Sequence, residues 1–117
     1  MKDFIKLLIW QKGFKIAKET YKITRKFPSE EKYGLISQLN RASVSIYSNI
    51  AEGSSRRSEK DYFRFIEIAL GSSFELESQF LLTLELGFGN KKEIELILGE
   101  IDEEQKMPIA FMKKLNK

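Results

Sequence analysis

The sequence predicts an all-α fold, an antiparallel up-down-up-down four-helix bundle that takes in 1–117 as a single domain. Three observations carry this. Apolar residues recur at helical spacing in four consecutive blocks. Short segments rich in Gly, Pro and Ser separate those blocks. No Asn-Gly or Asp-Gly hairpin signal occurs, and there is no internal repeat or low-complexity tract.

The first helix is predicted from about Leu7 to Lys26. Trp10, Phe14, Ala17, Tyr21 and Thr24 step by 4, 3, 4 and 3 along one face, widened by Ile16, Ile23 and Phe27. Lys12, Lys15, Lys18, Lys22 and Lys26 step by 3, 3, 4 and 4 along another, so the basic residues form a row. Phe27-Pro28 stops the helix, because the residue before proline is pushed out of the α region.

A polar connection, Ser29 to Lys32, and Tyr33-Gly34 lead into the second helix, Leu35 to Gly53 or Ser54. Its stripe is Leu35, Leu39, Ala42, Ile46, Ile50 and Gly53, at steps of 4, 3, 4, 4 and 3. A polar row of Arg41, Ser45, Ser48 and Glu52 lies opposite, with Asn49 on the boundary. Gly53 is expected to take the left-handed conformation that releases a chain from a helix.

Ser58 followed by Asp61 resembles a capping box and marks the third helix, Ser58 to Leu86. The short loop makes the second and third helices antiparallel neighbours, and the rest of the chain packs around this hairpin. Helix three is expected to bury Tyr62, Phe63, Ile66, Ala69, Leu70, Phe74, Phe80, Leu81 and Leu84. Glu77 falls within that apolar arc, and an unpaired buried charge costs several kcal/mol. A hydrogen-bond partner is therefore expected, with Gln38 or Tyr33 as candidates. Ile68, Leu82 and Leu86 lie off the arc, and leftover apolar surface of this kind predicts self-association.

Leu86-Gly87-Phe88-Gly89-Asn90 stops helix three. The fourth helix, Lys91 to about Leu115, is expected to bury Ile94, Leu98, Ile101 and Met112. Pro108 predicts a kink or break near Met107, and the C-terminal turn is expected to fray.

Composition narrows the function. The chain has no cysteine and no histidine. That removes disulfides, sulfur-ligated metals and imidazole chemistry, and it rules out the Glu-x-x-His pairs of a di-iron carboxylate bundle. No enzyme activity, cofactor or metal is expected. The apolar start, 1–10, is broken by charge and followed by no small-residue cleavage site, so it does not read as a signal peptide. No uncharged run approaches the roughly 20 residues of a membrane span. A soluble cytoplasmic protein is the expectation.

Net charge is +3, unevenly spread. Residues 1–26 carry +6, 27–86 carry −3, and 87–117 are neutral. A polyanion, if bound, should meet the first helix.

Several segments resemble a known family: Trp10-Gln11-Lys12, Phe27-Pro28, Tyr33-Gly34-Leu35, Arg41-Ala42, Ser48-Asn49-Ile50-Ala51-Glu52-Gly53, Ala69-Leu70-Gly71-Ser72 and Glu75-Leu76-Glu77-Ser78-Gln79. They are similar to the four-helix-bundle family named for the 23S ribosomal RNA intervening sequence. The resemblance implies a small bacterial bundle, often a homo-pentamer. It also implies similarity to the accessory protein of diversity-generating retroelements, a basic pentamer that works with a reverse transcriptase and nucleic acid. The chain departs from the common pattern at Tyr47, where many relatives have proline, and at Gly13, where a better helix former is usual.

Two functional readings follow. In the first, Lys12, Lys15, Lys18, Lys22 and Lys26 neutralise phosphates of RNA or DNA. Arg56, Arg57 and Lys60, beside Arg64 at the start of helix three, would form a second cluster suited to an anion. The competing reading makes the lysines a solvated face and pairs the arginines with Glu52, Glu59 or Glu67. The protein is then a structural or protein-interaction bundle with a protein partner. Arg41, Asn49 and Glu52 are read as structural polar residues, as is Glu77. Arg41 and Glu52 stand about 16 Å apart along one helix, too far to act on one bond.

Overall fold

The computed structural model describes residues 3–115, and its helices are α1 (Leu8–Thr24), α2 (Leu35–Ser54), α3 (Glu59–Leu86) and α4 (Lys91–Met112). Single 3-10 turns occur at Phe4–Lys6 and Ser29–Glu31, and there is no strand among the described residues.

Side chains and glycines set the helix limits. Ser58 Oγ accepts from the Asp61 N–H at 3.1 Å and opens α3. Asn90 Oδ1 accepts from the Glu93 N–H at 3.0 Å and opens α4. Each supplies a partner for one of the four N–H groups a helix start leaves orphaned. α3 ends in a paired turn: the Phe88 N–H donates to the Thr83 carbonyl and the Gly87 N–H to that of Leu84, both at 3.3 Å. Gly87 has φ 75°, a left-handed conformation in which a Cβ would be strained.

α1 packs on α2 and α4, and α3 packs on the same two, with no close backbone approach across the diagonals. The short loops make these neighbours antiparallel, giving the up-down-up-down bundle, 43 Å along its long axis. Each helix turns a stripe at three- and four-residue steps inward. In α1 it is Ile9, Gly13, Ile16, Thr20 and Ile23, and in α2 it is the stripe predicted. α3 buries Tyr62, Ile66, Ala69, Ser73, Leu76, Phe80 and Thr83, and α4 buries Ile94, Ile97, Ile101, Glu104 and Pro108.

Several expectations need correction. The buried face of α1 is turned about a quarter revolution from the aromatic one, and Phe14 and Tyr21 keep 37% and 41% of their surface exposed. A ring at the rim can bury one side against a neighbour and leave the other in water, so Ile and small residues take the centre. On α3, Phe74 and Leu81 are each 50% exposed, because Ser73 and Thr83 hold the inward positions instead. Their hydroxyls donate to their own helix, to Leu70 O at 2.6 Å and Gln79 O at 2.9 Å, so these polar atoms are satisfied. Of the residues assigned to the core of α4, Leu98 and Met112 are only half-buried.

Gly53 is helical, not left-handed. A Cβ there would sit 2.7 Å from Phe65 Cβ and 3.0 Å from Tyr62 Cδ1, so glycine permits the close crossing of α2 and α3. Gly13 does the same between α1 and α2, where a Cβ would lie 3.1 Å from Ile46 Cγ2. Pro108 does not break α4, which runs on to Met112; the helix stops short of the expected Leu115, and 113–115 form a turn. No helix among the described residues is long and apolar enough to cross a membrane.

Candidate nucleic-acid interface

The basic row of α1 divides between two sides of the helix. Lys12, Lys15 and Lys26 face α4, whose flank is acidic. Lys15 Nζ lies 3.2 Å from Glu100 and 3.9 Å from Glu19. Lys12 lies 4.0 Å from both Glu100 and Glu103. Lys26 bonds both oxygens of Glu93, at 2.9 and 3.0 Å. These three lysines are spoken for within the chain.

Titration in this seam follows from crowding. Burial, then the neighbouring Glu100, pushes the Glu19 carboxyl up to about 7. Burial works against the charged form of Glu100 too, yet Glu19, Lys15 and Lys12 together hold it below the usual range. The two carboxyls titrate as a coupled pair, with Glu19 the side that takes up a proton first as pH falls. The hydrogen bond that Lys15 donates to Glu100, and the surrounding carboxylates, raise Lys15. Deeper in, Glu104 is 0% exposed, and neither carboxyl oxygen has a hydrogen-bond partner among the described residues. Burial pushes it up to about 8 against the charge of Lys12. The α4 spacing that places Ile97, Ile101 and Pro108 inside places Glu104 there as well.

The other side of α1 faces α2 across an open groove. Phe14, Lys18, Tyr21 and Arg25 step along it by 4, 3 and 4, alternating ring and cation. A depression of about 370 Å³ at one end is walled by these residues together with Lys22, Val44 and Tyr47. Beyond Tyr21 a second, of about 550 Å³, is walled by Lys32, Tyr33, Ile36, Arg41 and Val44. A third links Tyr21 and Arg25 to Lys32 and Ile36. Tyr21 is common to all three, and no carboxylate lines any of them.

One end of the groove is stiffened by stacked rings. Trp10 and Phe14 are parallel at 4.8 Å, Tyr47 meets Phe14 edge-on at 5.2 Å, and Lys18 Nζ sits 5.5 Å from the Phe14 centroid. At the other end Tyr33 is 88% exposed, with Lys32 Nζ 5.4 Å from its ring centroid.

The remaining predicted residues lie apart from the groove, Arg41 excepted. Arg56 bonds Glu52 at 2.7 Å and covers the Phe65 ring at 4.7 Å, while Arg57 and Lys60 are exposed beside it. Asn49 donates to Ser45 O and Oγ at 2.8 and 2.9 Å, and Ser45 Oγ meets Ser72 Oγ at 2.7 Å, which pins α2 to α3. Glu77 does not pair with Gln38 or Tyr33. It accepts from Gln105 Nε2 of α4 at 2.8 Å, and Gln38 is taken up by Gln79. Its position is on the α4 flank of α3, so an α2 partner is out of reach.

Arg25, Lys32, Tyr21 and Tyr33 were not singled out as site residues from the sequence. The alternation Phe14-Lys18-Tyr21-Arg25 was the available signal for half of them. Lys32 and Tyr33 join only through the turn that folds them beside α1.

Fold and site together define a four-helix bundle with a basic-aromatic groove between α1 and α2. The chain belongs to the 23S rRNA-intervening sequence protein family, whose model matches residues 5–110. It is also similar in fold to a crystal structure of a protein with unknown function from the S23 ribosomal protein family of Bacteroides thetaiotaomicron VPI-5482. The TM-score is 0.84 at 23% identity, over 92% of this chain and 100% of that one. No curated protein matches at a significant level.

Proposed function

We propose that this protein is a non-enzymatic, homo-oligomeric bundle that binds nucleic acid through the phosphates, using the α1–α2 groove and not the α1–α4 seam. The observation that carries this reading is the separation of charge on α1. Lys12, Lys15 and Lys26 are paired with α4 carboxylates, whereas Lys18, Arg25, Lys32 and Arg41 line a groove without one, with Lys22 at the edge this groove shares with the acidic seam. Arg57 and Lys60 are exposed and can add contacts at the far end of the hairpin. A reverse transcriptase as protein partner rests on the retroelement resemblance alone.

Self-association is supported by α3. Ile68, Phe74, Leu81, Leu82 and Leu86 are all about half exposed, more apolar surface than one helix of a monomer ordinarily shows water. A pentamer, as the resemblance implies, would repeat the groove and multiply weak phosphate contacts. The same apolar face also favours the second reading, a protein-interaction bundle in the cytoplasm that binds no nucleic acid.

Fluorescence anisotropy with random-sequence RNA and DNA between 50 and 200 mM salt separates them. Each phosphate contributes roughly −0.7 (single strand) to −0.9 (duplex) to the slope of log K against log salt, so five cations per chain allow a slope of about −4. Lys18→Glu with Arg25→Glu should abolish binding, and Lys26→Gln should leave it nearly unchanged. Absence of binding at 50 mM salt leaves the protein-interaction reading.

A further inference from the structure

The floor of the α1–α2 groove is aromatic and apolar, and a duplex has little to place there. Its base faces are stacked inside, and a protein meets only phosphate, sugar and base edges. A single strand presents both charges and bare base faces, and bases stack on aromatic side chains without regard to sequence. The groove offers both kinds of contact in alternation: Lys18, Tyr21 and Arg25 on α1, and Lys32, Tyr33 and Arg41 across from them. Tyr33, at 88% exposure, holds its ring in water with Lys32 Nζ over one face only, whereas two groups cover Phe14. Phe14 is not such a platform, since Trp10 stacks on its ring and Lys18 packs against it.

Resting on the nucleic-acid reading above, we infer that the groove takes single-stranded polynucleotide, with phosphates on Lys18, Arg25, Lys32 and Arg41 and bases stacked on Tyr21 and Tyr33. From Phe14 to Arg25 the groove runs about 16 Å. At the roughly 3.4 Å rise of a fully stacked strand, the most compact case, that accommodates at most four or five nucleotides per chain. Stacking needs only a ring face, so RNA and DNA single strands share the chemistry.

The test uses the full chain and four labelled probes: oligo-dT, oligo-rU, and DNA and RNA hairpins of matched phosphate count. The single strands should bind about tenfold or more tightly than the hairpins at 100 mM salt. Tyr21→Leu and Tyr33→Leu keep an apolar side chain but remove the ring face. Each should weaken single-strand binding about tenfold, leaving hairpin binding and the salt slope within twofold. Circular dichroism melts check that both variants fold, and Tyr33 lies in an exposed turn where a folding defect is not expected. Equal affinity for strand and hairpin, or tyrosine variants that bind like the parent, overturns the stacking inference while the phosphate-binding function stands. Failure of every probe to bind at 50 mM salt overturns both.

Discussion

Glu104→Gln should make the bundle's stability less dependent on pH, and the size of the effect follows from where Glu104 sits. The carboxyl is fully buried on α4 against Gly13 of α1, with Oε2 3.5 Å from where a Gly13 Cβ would stand. Burial raises it from 4.5 to about 8. Because the folded value lies above the unfolded one, the native chain keeps a proton that the unfolded chain has released between those two pH values. Stability from this group is therefore complete below about pH 4.5 and is lost as pH climbs through 8. Each pH unit in that window costs about 1.4 kcal/mol, so wild type should lose about 3 kcal/mol relative to Glu104→Gln between pH 5.5 and 7.5. The buried Gln amide carries its own cost, but that cost does not change with pH. Glu19 titrates in the same range and is present in both proteins, so it cancels from the difference. Urea unfolding followed by Trp10 fluorescence and helical circular dichroism, at fixed protein concentration and pH 5.5, 6.5 and 7.5, measures it. Parallel stability curves for the two proteins would refute the reasoning, since they would mean that the carboxylate finds a charge partner or water in solution.

Two further outcomes test the packing and the assembly. Gly53→Ala should destabilise the bundle by about 1 to 2 kcal/mol in urea: overpacking against Phe65 costs about 1 to 3 kcal/mol, partly offset by alanine's better helix propensity. A stabilised variant would show that α2 and α3 can separate without penalty. Leu82→Glu with Leu86→Glu should lower the molecular mass seen by light scattering toward that of the 13.7 kDa chain, with helix content retained. An unchanged mass would exclude this part of α3 from the subunit contact.

How far the sequence reads through to the structure differs by element. The α2 stripe, the Ser58 cap and the Gly87 stop were legible because each depends on residues within one or two turns of each other. The α1 face was misjudged because Trp10, Phe14 and Tyr21 dominate a periodicity count, while the helix crossing selects small and β-branched side chains such as Gly13, Thr20 and Ile16. For the same reason Phe74 and Leu81 yield the core to Ser73 and Thr83, whose hydroxyls are satisfied by their own backbone. The lysine row was visible, but its partners Glu93, Glu100 and Glu103 lie some 70 to 90 residues away, and no local pattern shows which lysines they engage.

Taken alone, the order of residues determined the number of helices, their limits and their antiparallel sequence, because hydrophobic period, caps and short loops act over a few residues. Only the packed bundle decided which cations stay free. Charge pairing is settled by which helix flank lies beside which, and that is a property of four helices closing around one core.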